Sequence, residues 1–399
     1  MRISLLLRRE PFGELLERSL AGFLVEKYGK LFDVKWHMGS QSTQEKGRQL
    51  FYCNPWLNSI FVETAQPDVW GPVLKEYSVS TVWWKRPLQA LYVRLATGRA
   101  TRLLFAKPAM TVYPAIPGAK VMLIMGGNHH LRILDLVENC SHVIAKTGAA
   151  AELIRTELAV RDRFPFLPVP RVTRRSSSGR WYSETLIKAT PINRIQNADV
   201  PAEVTSRLMQ SLERLAAETA VETRLHEYCC RLLAEIEAAA AACKCIGATE
   251  RSGLVQSARQ IHARLLQRPD TTIRLCQAHG DFQPANMLFD GTAAHLIDWE
   301  YTGQRSVSYD FLTLHTGIRL LGPVVENAAA YINRAGTGPL SCCIQPDGTA
   351  TANRVAALAL FVLEDISLKL MENSGTHLYA AAGRLSTYVD IAEALARLV

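Results

Sequence analysis

The stretch Cys276-Gln277-Ala278-His279-Gly280-Asp281-Phe282-Gln283-Pro284-Ala285-Asn286-Met287-Leu288-Phe289-Asp290, with His295-Leu296-Ile297-Asp298-Trp299-Glu300 and Tyr309-Asp310-Phe311 after it, decides how this chain is read. Two short apolar runs, Asn286 to Phe289 and His295 to Ile297, flank Asp290-Gly291, a dipeptide suited to the tight turn of a β-hairpin. A hairpin there gathers Asp281, Asn286 and Asp298 toward one end. One carboxylate then orients a hydroxyl, while an amide and a second carboxylate offer the hard oxygens that Mg²⁺ prefers. That is the division of labour phosphoryl transfer requires.

Upstream of this stretch the pattern is of short strands. Val121 to Met125 reads as a strand, Gly126-Gly127-Asn128 as a turn, Leu131 to Val137 as a second strand and His142 to Lys146 as a third. Thr147-Gly148 then opens a helix from about Ala149 to Arg163, which carries Glu152 and Glu157 and is stopped by Pro165. Arg171 to Arg175 and Trp181 to Ile187 are two more strands. Adjacent glycines at Gly126 and Gly127 let backbone N–H groups approach a phosphate, and they serve a plain hairpin turn equally well. Residues 201 to 265 are helical by pattern, with Leu208, Leu212, Leu215 and Ala216 on one face. Val355 to Leu363 is apolar all round and is expected to be buried, with Glu364-Asp365 at its end.

The first 115 residues are the least legible. They hold five of the seven tryptophans, which implies an aromatic core of their own or a contact surface. A helix is expected from Pro11 to Tyr28. From Lys85 to Lys107 there are six basic residues and no acid, interleaved with leucines and aromatics. That segment is either a helix with a solvated basic face or a peripheral contact for a membrane or a protein.

The whole chain, 399 residues with 48% hydrophobic, can bury a sizeable core in two or three domains. The apolar run Ile3 to Leu7 is too short for a signal-peptide core, and no run is long enough to span a membrane. An odd count of nine cysteines, including the neighbours Cys229-Cys230 and Cys342-Cys343, points to a reducing cytoplasm rather than a disulfide framework. A net charge of +8 favours anionic partners, a nucleotide among them; no nucleic-acid-binding module is visible.

His279-Gly280-Asp281-Phe282-Gln283-Pro284-Ala285-Asn286-Met287-Leu288, followed by Leu296-Ile297-Asp298-Trp299-Glu300, resembles the aminoglycoside phosphotransferase and choline kinase family, small-molecule relatives of the protein kinases. The resemblance spans roughly residues 120 to 372. It implies an α+β, protein-kinase-like two-lobe fold: residues 116–190 as a small strand-rich lobe over the nucleotide, residues 191–399 as a helical lobe with the catalytic loop, and residues 1–115 as an extra region. By position it implies Asp281 as catalytic base and Asn286 and Asp298 as Mg²⁺ ligands, with Glu300 reaching the ion through water. His279 and Asp310 would support the loop. Lys146 would contact the nucleotide phosphates, held by Glu157 in preference to Glu152, with Gly126 and Gly127 covering them and Glu184 to Ile187 beside the adenine. Glu364 or Asp365 would face the acceptor. The function so implied is ATP- and Mg²⁺-dependent transfer of the γ-phosphate to a hydroxyl of a sugar, amino alcohol or aminoglycoside-like molecule. The alternatives are transfer of AMP by the same site, or a catalytically weak, kinase-like binding or scaffold protein that engages a partner or a membrane surface through residues 1–115.

Overall fold

The computed structural model describes every residue except 39–46, 81, 149–150, 196–198, 269–270, 334–342, 345–348, 376 and 382–384. Cys342 therefore lies outside the described residues. The chain forms two units. One comprises Met1–Leu158, Val169–Val204 and Leu288–Ile297, and the other Ala159–Pro168, Thr205–Met287 and Asp298–Val399.

The first unit is built on one antiparallel sheet of nine strands. Its strands are β1 (Asp33–Trp36), β2 (Gln49–Asn54), β3 (Ser59–Val62), β4 (Lys107–Tyr113), β5 (Met122–Gly126), β6 (His130–Asp135), β7 (Cys140–Ala145), β8 (Val172–Arg175) and β9 (Trp181–Thr185), in the order β1-β4-β2-β3-β5-β6-β7-β9-β8. The five strands expected from Val121 to Ile187 are β5 to β9. The expected separation of residues 1–115 from 116–190 is corrected, because β1 to β4 extend the same sheet through the pairing of Ile60 with Ile124.

Strand alternation sorts the side chains between the two faces of the sheet, and different helices cover the two. On β7, Ile144 packs into the large cluster that includes Ile3, Leu6, Phe12, Phe23, Ile133 and Trp181. Those residues bring α1 (Ile3–Arg9) and α2 (Phe12–Tyr28) onto that face. Its neighbours Val143 and Ala145 point the other way, into a small cluster with Tyr182 and with Ile154 and Leu158 of α5 (Ala151–Arg163). Every residue of β7 is buried, the polar Ser141 and His142 among them, as expected of a strand covered on both faces. The first unit also holds α3 (Gly71–Tyr77) and α4 (Arg86–Thr97), and a small sheet in which β10 (Thr190–Pro191) lies beside β11 (Met287–Phe289) and β12 (Ala294–Leu296), the hairpin read from the sequence. Asp290 caps its turn by accepting from the N–H groups of Thr292 and Ala293.

The second unit is mostly helical. Helices α6 (Leu225–Ala242), α7 (Ala248–Leu265), α8 (Ala350–Glu372) and α9 (Leu385–Leu398) pack together. A three-stranded sheet of Val221–Arg224, Thr272–Ala278 and Gly303–Ser306 carries the loop that begins at His279. The expected all-apolar helix is longer than its apolar run, with buried residues from Asn353 to Leu370. No helix among the described residues is long and apolar enough to cross a membrane.

Candidate active site

The loop from His279 to Asn286 is held from both ends inside the second unit. Asp310, 5% exposed, accepts from the backbone N–H of His279 at 2.7 Å and of Gly280 at 2.9 Å. His279 is fully buried, stacks edge-on against Trp299 with ring centroids 4.6 Å apart, and accepts the Asp281 N–H at Nδ1. That bond puts its proton on Nε2. Gly280 has φ of +89°, and a Cβ there would lie 2.2 Å from the Tyr301 carbonyl oxygen. Only glycine allows the loop to lie so close to the turn that follows Asp298.

The loop presents Asp281 as a fully engaged carboxylate. Its Oδ2 accepts from Gln283 Nε2 at 2.7 Å and Asn286 Nδ2 at 2.8 Å, and its Oδ1 accepts from Arg319 Nε at 2.9 Å. The Asn286 amide also donates to the Asp281 carbonyl. Its own Oδ1 accepts no hydrogen bond among the described residues, and Asp298 is exposed, in a left-handed conformation with φ of 62°. An amide oxygen and a carboxylate are hard donors, so this set fits Mg²⁺. Trp299, in contrast, is fully buried.

Arg319 is the residue that sequence reasoning missed. Besides Asp281 it pairs with Asp365 at 2.7 Å and donates to the Tyr309 hydroxyl at 2.9 Å and the Gly280 carbonyl at 3.3 Å. Burial works against its charge, yet Asp365, Tyr309 and Asp281 together hold its pKa well above the usual guanidinium value. The only local signal was a lone arginine within the apolar run Gly317-Ile318-Arg319-Leu320-Leu321, which is what a paired buried cation looks like.

Asp365 and Glu364 are corrected as acceptor-facing residues. Both are buried and committed to internal bonds. Asp365 accepts from the hydroxyls of Tyr309 and Tyr388, each at 2.8 Å. Although burial pushes its pKa up, Arg319 and then Lys369 hold it below the ordinary value. Glu364 accepts from Tyr228 Oη, Ser306 N and Ser306 Oγ, and burial outweighs those bonds and raises its pKa.

Within the first unit, the expected pairing of Lys146 with Glu157 is also corrected. Lys146, fully buried, pairs with Glu10, donates to the Asn128 carbonyl at 3.0 Å and lies 5.6 Å from the Phe12 ring centroid. Glu157 accepts from Tyr182 Oη at 3.0 Å on the opposite face of the sheet. Lys146 sits on the face covered by α1 and α2, so its amine does not reach open surface. Gly126 and Gly127 likewise have another explanation than phosphate. A Cβ at Gly126 would meet Leu6 at 2.7 Å and Ile3 at 2.9 Å, and its N–H donates to Asn58 Oδ1. A Cβ at Gly127 would lie 2.6 Å from the His130 carbonyl, the closeness of a tight turn. Glu184, expected near the adenine, is 2% exposed and accepts from Arg132 at 2.7 Å on the α5 face.

The search of curated proteins returned no match. Among solved structures, the chain is similar to a choline/ethanolamine kinase family protein from Mesorhizobium loti at 15% identity, with 78% of this chain and 94% of that chain covered and a TM-score of 0.39. It is similar to choline kinase LicA from Streptococcus pneumoniae at 12% identity, with 68% and 92% covered and a TM-score of 0.44. A thermostable mutant of aminoglycoside phosphotransferase APH(4)-Ia, in ternary complex with ADP and hygromycin B, matches at 13% identity, with 69% and 93% covered and a TM-score of 0.47. Such identities and scores carry no residue role or ligand across. The model of the phosphotransferase enzyme family matches residues 144–340, the segment that holds Asp281, Asn286, Asp298, Asp310 and Arg319. That segment is similar to the phosphotransferase enzyme family, and the structure that carries it is of the α+β class.

Proposed function

We propose that this protein is a phosphotransferase that moves the γ-phosphoryl group of ATP to a hydroxyl of a small molecule such as a sugar, an amino alcohol or an aminoglycoside. One observation carries the reading: Asp281 is an immobilised carboxylate, fixed by Gln283, Asn286 and Arg319 on a loop pinned by Asp310. Phosphoryl transfer through a loose transition state asks for positioning more than for a strong base. Asp281 orients the acceptor O–H toward phosphorus. As the new P–O bond forms and the bond to ADP breaks, the hydroxyl proton passes to the Asp281 carboxylate and then to solvent. Asn286 and Asp298 would hold Mg²⁺, which neutralises charge on the phosphate oxygens when bound. The buried His279 serves the loop as a neutral acceptor for the Asp281 N–H.

A metabolite-pool screen for transfer of labelled γ-phosphate, with Asp281→Ala as the blank, tests this directly. The expected outcome is a phosphorylated product that the variant does not make, while Mg·ATP still raises the melting temperature of both proteins. Undiminished transfer by Asp281→Ala refutes the assignment. Appearance of an adenylylated product instead assigns AMP transfer.

The burial of Lys146 against Glu10 favours a second reading, a catalytically weak binding protein on the same fold. That reading gains if the full chain neither binds nor turns over Mg·ATP.

A further inference from the structure

A surface of the first unit remains unused by this chemistry. Helix α4 buries only Val93 and Ala96 fully, yet its outer side is not a solvated polar face. Leu88, Leu91 and Leu95 recur at intervals of three and four and so lie along one stripe of the helix, with Trp84 in the 3-10 turn that leads into it. The leucines are 66%, 54% and 37% exposed, Trp84 is 55% exposed, and Trp83 beside it is 77% exposed. Single exposed leucines are ordinary, but a continuous stripe of this kind marks a contact surface.

Charge indicates what the contact is. No acidic residue occurs between Glu76 and Asp135, and Lys85, Arg86, Arg94 and Arg99 are all exposed on or beside α4. Alongside the helix runs an open groove of about 480 Å³ whose lining includes Trp56, Tyr77, Leu88 and Tyr92. Two cations border it: Arg2 lies 4.9 Å from the Tyr77 ring centroid, and Lys85 lies 4.9 Å from that of Trp84. Indole rings, leucines and basic groups on one helix suit the boundary between acyl chains and anionic headgroups. A second copy of the chain is a poor occupant, because a two-fold contact through this patch sets the same cations against one another. An extended nucleic acid leaves the leucine stripe unburied.

The geometry points to α4 as the element that docks this unit on an anionic lipid bilayer, with the leucine stripe and Trp83–Trp84 entering the headgroup layer and the basic residues meeting lipid phosphates. The proposal is independent of the acceptor.

Co-flotation of the full chain with vesicles tests it, using phosphatidylcholine alone and phosphatidylcholine with phosphatidylglycerol. Binding to the anionic vesicles is expected to exceed binding to neutral ones by about ten-fold or more and to fall several-fold between 0.1 and 0.5 M salt. Tryptophan emission should shift to the blue on binding. Leu88→Ser/Leu91→Ser is expected to abolish flotation, and Lys85→Glu/Arg94→Glu to reduce it about ten-fold or more. Melting curves verify that both variants are folded. Equal flotation with neutral and anionic vesicles overturns the proposal, as does undiminished binding by the folded leucine variant. So does a wild-type dimer in light scattering that the leucine variant converts to monomer.

Discussion

Replacing Arg319 by Gln tests the site at the point where its electrostatics and its geometry meet. The guanidinium joins Asp281 on the loop to Asp365 in the core of the second unit. Removing it leaves Asp365, 0% exposed, with two tyrosine hydroxyls and without the cation that offsets its burial. Breaking a buried pair from one side costs ~3–5 kcal/mol, a large part of the ~5–15 kcal/mol that stabilises a typical domain. With a urea m-value of about 2 kcal/mol per M, the midpoint of the transition should fall by roughly 1.5–2.5 M. Turnover should fall as well, because Asp281 Oδ1 loses the Nε–H that fixes it, and a displaced catalytic group costs ~10²-fold. Arg319→Lys keeps the charge but cannot engage Asp281, Asp365 and Tyr309 with one planar fork, so it should recover stability better than turnover. Arg319→Met/Asp365→Leu removes both buried charges and should restore most of the stability without restoring turnover. Urea unfolding and γ-phosphate transfer read the two effects separately. Arg319→Gln with a wild-type midpoint and wild-type turnover would show that the guanidinium holds neither carboxylate.

Three further outcomes follow from the same structure. Gly280→Ala must displace either the loop or the Tyr301 carbonyl, so transfer should fall by ~10²-fold even where circular dichroism shows a folded protein. Lys146→Met should lower the melting temperature by leaving Glu10 buried without its cation, and Lys146→Met/Glu10→Met should recover it with the KM for Mg·ATP little changed; a collapse of nucleotide affinity in the stable double variant would return Lys146 to the phosphates. Burial pushes the Asp135 pKa up, but hydrogen bonds to His142 and the Glu138 backbone and the Lys27 ammonium lower it to about 2, from 3.8. Its contribution, about 2–3 kcal/mol at most, is therefore present above pH 4 and lost as pH falls toward 2. The stability gap between wild type and Asp135→Asn should narrow over that interval in pH-dependent urea unfolding.

The parts of the site that were legible in the sequence are local ones. The hairpin turning at Asp290-Gly291 and the strands β5 to β9 follow from period-two patterning and turn chemistry within short windows. Asp281 and Asn286 are five residues apart, so the spacing alone allowed their contact. What escaped is long-range or depends on which face a strand presents. Glu10 meets Lys146 across 136 residues of chain, and no local pattern announces that. Alternation says that Ile144 and Lys146 share a side and that Val143 and Ala145 share the other, but not which helix covers each. The pairing with Glu157 failed on that parity. Glu364 and Asp365 were misread as facing the acceptor because carboxylates ending an apolar run look free for a ligand, whereas tyrosines and an arginine from elsewhere in the chain engage them inside the core.

The single pairing of Ile60 with Ile124 has a consequence for how the chain can be divided. A chain starting near residue 116 would turn an interior strand into a long hydrophobic margin, with Leu123 and Ile124 flanking unpaired amides and Ile133, Ile144 and Trp181 stripped of the helices above them. Such margins recruit other chains. Expressed without its first 115 residues, the chain is therefore expected to aggregate rather than to fold as a smaller unit.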